Sequence, residues 1–292
     1  MNIDLNFNNA DERAVQYNAR ASVEDFDACM VEYAELAKQA RLQTPGIYDL
    51  RYGMAAAERI DVFPASVQPA PLVIFIHGGY WCSQRKEDAC SMAASFTSHG
   101  IAVATLEYTL APLATVAEIM HEVRSAVSWL YHHGEQFGID LARIFIIGSS
   151  AGAHLCSSLV SAGWHERYQL PADAIKGVLA MSGIYDLRPL CDIFSNEWLR
   201  LSPEQAKSVS TIFSLPKKKT YAPKILLSVG GKETLGFKHQ TQAYYEACRE
   251  NELDVTFIED HQHNHFTLVN TLANPETEMF KQVMAIIDAT AK

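Results

Sequence analysis

The chain is poor in patterned cysteine, in clustered positive charge and in long apolar runs, and each shortage excludes a class of protein. Its six cysteines, at 29, 82, 90, 156, 191 and 248, include no C-x-x-C pair. That argues for buried free thiols rather than a disulfide framework or a zinc site. No apolar stretch approaches the roughly 20 residues that a membrane-spanning helix needs. The start, Met1-Asn2-Ile3-Asp4-Leu5-Asn6, lacks the basic and apolar regions of a signal peptide, so a cytoplasmic protein is expected. Lys and Arg number 24 against 34 Asp and Glu, a formal net charge of −10, which disfavours a nucleic-acid surface. The longest basic run, Lys217-Lys218-Lys219, reads as a solvated loop. There is no G-x-G-x-x-G fingerprint, internal repeat or low-complexity tract. What remains is 292 residues with 48% hydrophobic content and no visible linker, enough for a large core in one domain spanning 1–292.

Two motifs carry chemistry. The apolar run Arg143-Ile144-Phe145-Ile146-Ile147 leads into G-S-S-A-G at 148–152, and a helix-like stretch follows. That is the form of a nucleophile elbow, in which small residues let a strand turn sharply into a helix and present a serine hydroxyl above the sheet. Ser150 is the candidate nucleophile, and the competing reading is an ordinary Gly/Ser turn. The second motif follows the strand-like segment Pro71-Leu72-Val73-Ile74-Phe75-Ile76 and reads His77-Gly78-Gly79-Tyr80-Trp81. Two glycines at a strand end allow backbone N–H groups to turn toward a ligand, which is how an H-G-G loop makes half of an oxyanion hole. Ala151 N–H would supply the other half, and a Gly-Gly turn with an aromatic plug is the structural alternative.

An elbow of this kind requires an acid and then a histidine, each on a loop after a late strand. The strand-like Lys224-Ile225-Leu226-Leu227-Ser228-Val229 ends in Gly230-Gly231-Lys232-Glu233, which makes Glu233 the candidate acid. Asp254-Val255-Thr256-Phe257-Ile258 is followed by His261, His263 and His265, one of which is the base. His265 is preferred because it lies furthest past the strand and Phe266 can anchor it. In an extended loop the three histidines would share one face and could bind a metal, although no carboxylate or cysteine at a metal-motif spacing supports that. Asp260 is the alternative acid, close in sequence to His265 for that role.

Further strands are expected at 101–108 and 174–182, and a long helix from Val116 to Gln136 with apolar Val116, Ile119, Met120, Val123, Ala126, Val127 and Leu130. Strands alternating with helices imply a mostly parallel, doubly wound α/β sheet with helices on both faces. Residues 1–48 read as a helical extension, with Phe26, Met30, Val31, Ala34, Leu36 and Ala37 as the apolar positions of a helix over Ala21 to Arg41 that packs against the body or lines a pocket mouth. The Pro-interrupted segment from about 186 to 223 reads as a small cap insertion.

The combination H-G-G-Y-W at 77–81, E-Y-T-L-A-P at 107–112, G-S-S-A-G-A-H-L at 148–155, S-G-I-Y-D-L at 182–187 and H-F at 265–266 resembles the arylformamidase (kynurenine formamidase) group of the α/β-hydrolase fold. Gln16-Tyr17-Asn18, Arg20 and Asn196-Glu197-Trp198-Leu199 also look like that group, so the likeness covers nearly the whole chain. Tyr80 stands where related lipase-like esterases usually carry a third glycine. The resemblance implies Ser150 as nucleophile, Glu233 as acid and His265 as base, with oxyanion N–H groups on Gly79, Tyr80 and Ala151. Gly78, Tyr80 and Trp81 are the candidate substrate contacts, since aromatic side chains commonly line ligand sites, and the core is the alternative place for the two aromatics. Animal members have aspartate at the acid position, and glutamate, one methylene longer, can still orient the imidazole. The implied substrate is a small aryl formamide, N-formyl-L-kynurenine first, with other small amides and esters as the alternative. No cofactor or metal is implied, and a homodimer is compatible with the group. An amino-acid head on the substrate would need a polar anchor, for which Arg188, Asn18 and Arg20 are the candidates, Arg188 reading better as a surface ion-pair residue.

Overall fold

A computed structural model describes residues 3–217 and 223–290, so Met1, Asn2 and the Lys218-Lys219 pair of the basic run lie outside the described residues. The strands are β1 (Ile47–Arg51), β2 (Arg59–Phe63), β3 (Ala70–Ile76), β4 (Ala102–Leu106), β5 (Ile139–Ser149), β6 (Ile175–Met181), β7 (Lys224–Gly230) and β8 (Val255–Asp260). They form one sheet in the order β1-β2-β4-β3-β5-β6-β7-β8. β1 and β2 pair antiparallel with each other, as do β2 and β4, while β4 through β8 run parallel. The helices are α1 (Ala10–Gln16), α2 (Phe26–Gln43), α3 (Ala93–Ser98), α4 (Val116–His133), α5 (Ala151–Ser158), α6 (Asn196–Leu199), α7 (Pro203–Val209), α8 (Leu235–Glu250) and α9 (Glu278–Ala289).

β3 shows why both faces are covered. All seven of its residues are buried. Leu72, Ile74 and Ile76 point into one core, Val73 and Phe75 into the other, as the two-residue period of a strand requires. Each of these side chains contributes about 1.5–3 kcal/mol by leaving water. The first core is closed by α4, α5 and α8, the second by α2, α3 and α9. Helix α4 begins at a capping box made by Thr115 and Glu118, and the seven apolar positions of its sequence stripe are all buried. The fold is the α/β-hydrolase fold.

The N-terminal helix differs from its sequence reading. It starts at Phe26 rather than Ala21, because the Asp25 side chain caps the Ala28 N–H. Its inward stripe runs Phe26, Met30, Tyr33, Ala37, Ala40, so Val31, which is 69% exposed, and Ala34 face outward. Tyr33, an amphipathic residue, belongs to that stripe in their place. β1 and β2 were not expected at all. β1 is largely exposed, and β2 carries Asp61 fully buried, held by Lys86 Nζ at 2.8 Å and Arg41 Nη1 at 2.8 Å. A charged residue inside a strand hides the apolar alternation, and here its cost is offset by pairing.

The segment after β6 crosses the C-terminal edge of the sheet as short helical pieces that include α6 and α7, anchored by buried Leu190, Leu199, Ala206 and Val209. Gln240 of α8 ties this segment down. Its Oε1 accepts the Tyr185 and Asp186 N–H groups, and its Nε2 donates to Asp186 O and Tyr17 Oη.

Candidate active site

The site collects at the C-terminal ends of the parallel strands, where an open α/β sheet splays its loops to make a crevice. β5 ends at Ser149, and Ser150 turns the chain into α5 with φ 57° and ψ −120°, a sparsely populated backbone conformation for a residue with a Cβ. The turn presses α5 against the end of β3, so a Cβ at position 152 would stand 2.0 Å from Ile76 O, and only glycine fits. The loop after β3 comes equally close: a Cβ on Gly78 would meet Ser149 O at 2.9 Å and Ser150 Cβ at 3.0 Å. The E-Y of E-Y-T-L-A-P explains how that loop is held. Glu107 Oε1 lies 3.1 Å from His77 Nε2, and Tyr108 Oη donates to His77 O and Gly78 O, each at 3.1 Å.

Ser150, Glu233 and His265, from the loops after β5, β7 and β8, meet in one buried line. Ser150 Oγ donates to His265 Nε2 at 2.9 Å, and His265 Nδ1 donates to Glu233 Oε2 at 2.6 Å. The other carboxylate oxygen, Oε1, accepts from the Gly230 N–H at 2.7 Å and from Ser182 Oγ at 2.5 Å. Ser182, at the end of β6 with φ 55°, had no role in the sequence reading; it opens the S-G-I-Y-D-L motif, which is the signal that could have found it. The imidazole packs against Phe237, 4.3 Å between ring centroids. Among the described residues, the N–H groups of Gly79, Tyr80 and Ala151 donate no hydrogen bond within the protein. Unpaired N–H groups beside a hydroxyl bonded to a base form the arrangement that acyl transfer uses.

The other two histidines go elsewhere. His261 is 82% exposed and stands 3.3 Å from Glu259, while His263 Nδ1 lies 2.7 Å from Asp260 Oδ2. Asp260 therefore engages His263 and not His265. Among the described residues, no group of three or more His, Cys, Asp or Glu side chains could hold a metal ion.

Ser150 and His265 open on a cavity of about 700 Å³, within the range typical of small-molecule sites. Gly78 and Tyr80 line it. Tyr80 is fixed by its hydroxyl, which donates to Tyr17 O, and by Trp198 Nε1, which donates to Tyr80 O at 3.0 Å. Phe26, Met30 and Tyr33 of α2 form a second wall, so the N-terminal helix does reach the pocket. Trp81 corrects the expectation. It is fully buried, does not line the cavity, and stands edge-on to His154 with 5.2 Å between centroids. With φ 51° at Tyr80 and 57° at Trp81, the loop winds so that one ring faces the pocket and the next enters the core. Of the three proposed anchors, Asn18 and Arg20 line the cavity, whereas Arg188 pairs with Asp186 at 2.6 Å.

His154 gives the elbow helix a pH dependence. Its Nε2–H donates to Val209 O at 2.8 Å, Nδ1 has no partner among the described residues, and burial pushes its pKa down to about 4. The unfolded chain, with a histidine pKa of about 6.5, then binds a proton that the folded chain refuses, so stability rises with pH. This residue should remove about 1.4 kcal/mol of unfolding free energy per pH unit as pH falls from 6.5 toward 4. Urea unfolding of wild type and His154→Asn across that window checks it. Equal slopes would show that the group is not responsible.

Comparison with known proteins agrees with this architecture. The chain matches the BD-FAE family over residues 60–224, a span that holds the Gly78–Gly79 loop and the elbow and stops before Glu233. It is 31% identical to a kynurenine formamidase of Danio rerio over 255 residues, covering 86% of this chain and 85% of that one. A kynurenine formamidase of Salmo salar is 28% identical, with 93% and 92% covered. A crystal structure of a protein from Silicibacter sp. TM1040, provisionally described as a thioesterase, superposes with a TM-score of 0.80 at 28% identity, covering 95% of this chain and 99% of that one. No helix among the described residues is long and apolar enough to cross a membrane. The family match over residues 60–224, with 31% identity to a kynurenine formamidase over most of the chain, makes this protein a member of the BD-FAE family of α/β-hydrolases, a hydrolase acting on an amide or ester and similar to the kynurenine formamidases.

Proposed function

We propose that the protein hydrolyses a small aryl formamide, N-formyl-L-kynurenine foremost, by two-step acyl transfer through Ser150, His265 and Glu233. The observation that carries this reading is the continuous hydrogen-bonded line from Ser150 Oγ through both imidazole nitrogens to Glu233, beside three N–H groups with no partner among the described residues. His265 Nε2 takes the hydroxyl proton as Oγ attacks the formyl carbon. The oxyanion is held by the N–H groups of Gly79, Tyr80 and Ala151, each worth about 3–4 kcal/mol in the transition state. His265 then protonates the departing nitrogen, and water releases formate from the formyl-enzyme by the same steps in reverse.

An aryl amine leaves more readily than an alkyl amine because its nitrogen lone pair delocalises into the ring, so an esterase-type site suffices for this amide. The aromatic wall of Phe26, Tyr33, Tyr80 and Trp198 suits an aryl leaving group, and the names of the two fish relatives support the same substrate. In this reading the enzyme is cytoplasmic, a setting in keeping with its six free cysteines. Equimolar release of formate and kynurenine from N-formyl-L-kynurenine tests the assignment. The structural relative described as a thioesterase favours a second reading, a small ester or thioester. Ester turnover without formamide turnover would select it.

A further inference from the structure

Helix α1 lacks the usual reason for a helix to lie on a sheet. None of its seven residues is buried, so it brings no apolar face to the core. It carries instead Gln16, its last residue, and the fully buried Tyr17, which stand behind the cavity rather than on its wall. There the two residues reach the surroundings of the acid, the oxyanion donors and the base.

The acid loop is held by Gln16. Thr234, next to Glu233, occupies the N-cap of α8, where a threonine hydroxyl ordinarily accepts a hydrogen bond from its own helix. Among the described residues it caps nothing, and its Oγ1 donates to Gln16 O instead. The Gly236 N–H, one of the first-turn donors that a helix cannot satisfy itself, donates to Gln16 Oε1 at 3.3 Å. Gln16 thus supplies from outside the cap that Thr234 withholds. The contact is backbone to backbone, since a Cβ at position 236 would stand 2.5 Å from Gln16 O.

Tyr17 reaches the other two parts. Its carbonyl accepts from Tyr80 Oη, and Tyr80 carries an oxyanion N–H at a φ of 51°. Its ring stands edge-on to Phe237, 6.2 Å between centroids, and Phe237 is the ring that packs against His265 at 4.3 Å. Tyr17 is itself pinned. Its hydroxyl donates to Leu5 O at 3.0 Å and accepts from Gln240 Nε2 at 3.1 Å, while Arg13 of α1 pairs with Asp192. Two successive carbonyls bonded to two different loops fix the spacing between those loops.

We propose that Gln16 and Tyr17 are positioning residues, a clasp that holds the acid loop and the oxyanion loop in register across His265. The proposal rests on the acyl-transfer reading of Ser150, His265 and Glu233, and not on which acyl compound is cleaved. A displacement of about 1 Å among reacting groups can cost on the order of a hundredfold in rate, so the clasp acts on kcat rather than on substrate binding.

The test opens each bond from its partner's side. Thr234→Val keeps the shape and removes a hydroxyl that caps nothing, so the melting temperature should stay close to wild type. It should lower kcat for N-formyl-L-kynurenine about tenfold with KM nearly unchanged, and Thr234→Ser, which keeps the hydroxyl, should restore it. Tyr80→Phe should also lower kcat about tenfold. In the double variant the losses should not multiply, because the second change acts on a clasp already open, and the total should stay nearer about tenfold than about a hundredfold. Diethyl p-nitrophenyl phosphate reads the same geometry without the natural substrate: Ser150 Oγ attacks phosphorus, p-nitrophenolate leaves and the hydroxyl proton passes to His265. Release of p-nitrophenolate should slow in the same variants. An unchanged kcat in Thr234→Val, a serine variant as impaired as the valine one, or losses that multiply overturn the proposal. If wild type forms no Ser150 adduct, the acyl-transfer reading fails and takes the clasp with it. If the adduct forms at rates that follow the clasp while the formamide is not cleaved, the substrate assignment fails and the clasp stands.

Discussion

Ser150→Ala should lower kcat for N-formyl-L-kynurenine by roughly 10⁴-fold or more, the scale on which removing a triad nucleophile acts, with the protein still folded. The substitution removes only Oγ. It keeps the Cβ and therefore the strained φ of 57°, and it leaves His265 bonded to Glu233, so the melting temperature should move little. KM should change little as well, because Oγ is a small part of the cavity wall. The residual rate would come from water attacking a carbonyl polarised by the free N–H groups. Steady-state kinetics with thermal unfolding of the same preparation separates the cases. A variant that stays folded and retains a tenth of the activity would mean that His265 activates water directly.

Glu233→Gln should cost about 10⁴-fold in kcat, for a reason the surrounding donors make specific. In the native site Oε1 accepts from Ser182 Oγ and the Gly230 N–H, and Oε2 accepts from His265. A glutamine must keep its oxygen facing the two donors, which turns its NH₂ toward Nδ1. The imidazole can then accept that hydrogen bond only in the tautomer carrying its proton on Nε2. That nitrogen would face Ser150 as a donor and could not take the hydroxyl proton. The change is nearly isosteric, so circular dichroism and thermal unfolding should stay close to wild type while kcat falls. A loss under tenfold would show that Glu233 merely packs beside the ring.

The elements that position this site were the most legible in the sequence. β3, β5, β6 and β7 are buried on both faces, so they appear as short continuous apolar runs, and the glycine and serine punctuation at their ends marks where the chain must turn. Ser150, Glu233 and His265 could be chosen because each follows such a run, and the structure brings all three together. What was illegible has a common cause: a residue type standing where its chemistry is completed from far along the chain. Asp61 disguises β2 because its partners, Arg41 and Lys86, are 20 and 25 residues away. Ser182 shows its purpose only once Glu233 stands beside it. Trp81 and Tyr80 are adjacent aromatics in sequence, and only the left-handed turn at both positions sends them to different environments.

The central claim, a formamide hydrolase rather than a general esterase, is tested most directly by kcat/KM for N-formyl-L-kynurenine beside that for p-nitrophenyl acetate. The expected result is a formamide value at least about a hundredfold above the ester's, a transition-state preference of about 2.7 kcal/mol. Efficient ester turnover with negligible formamide turnover would contradict it.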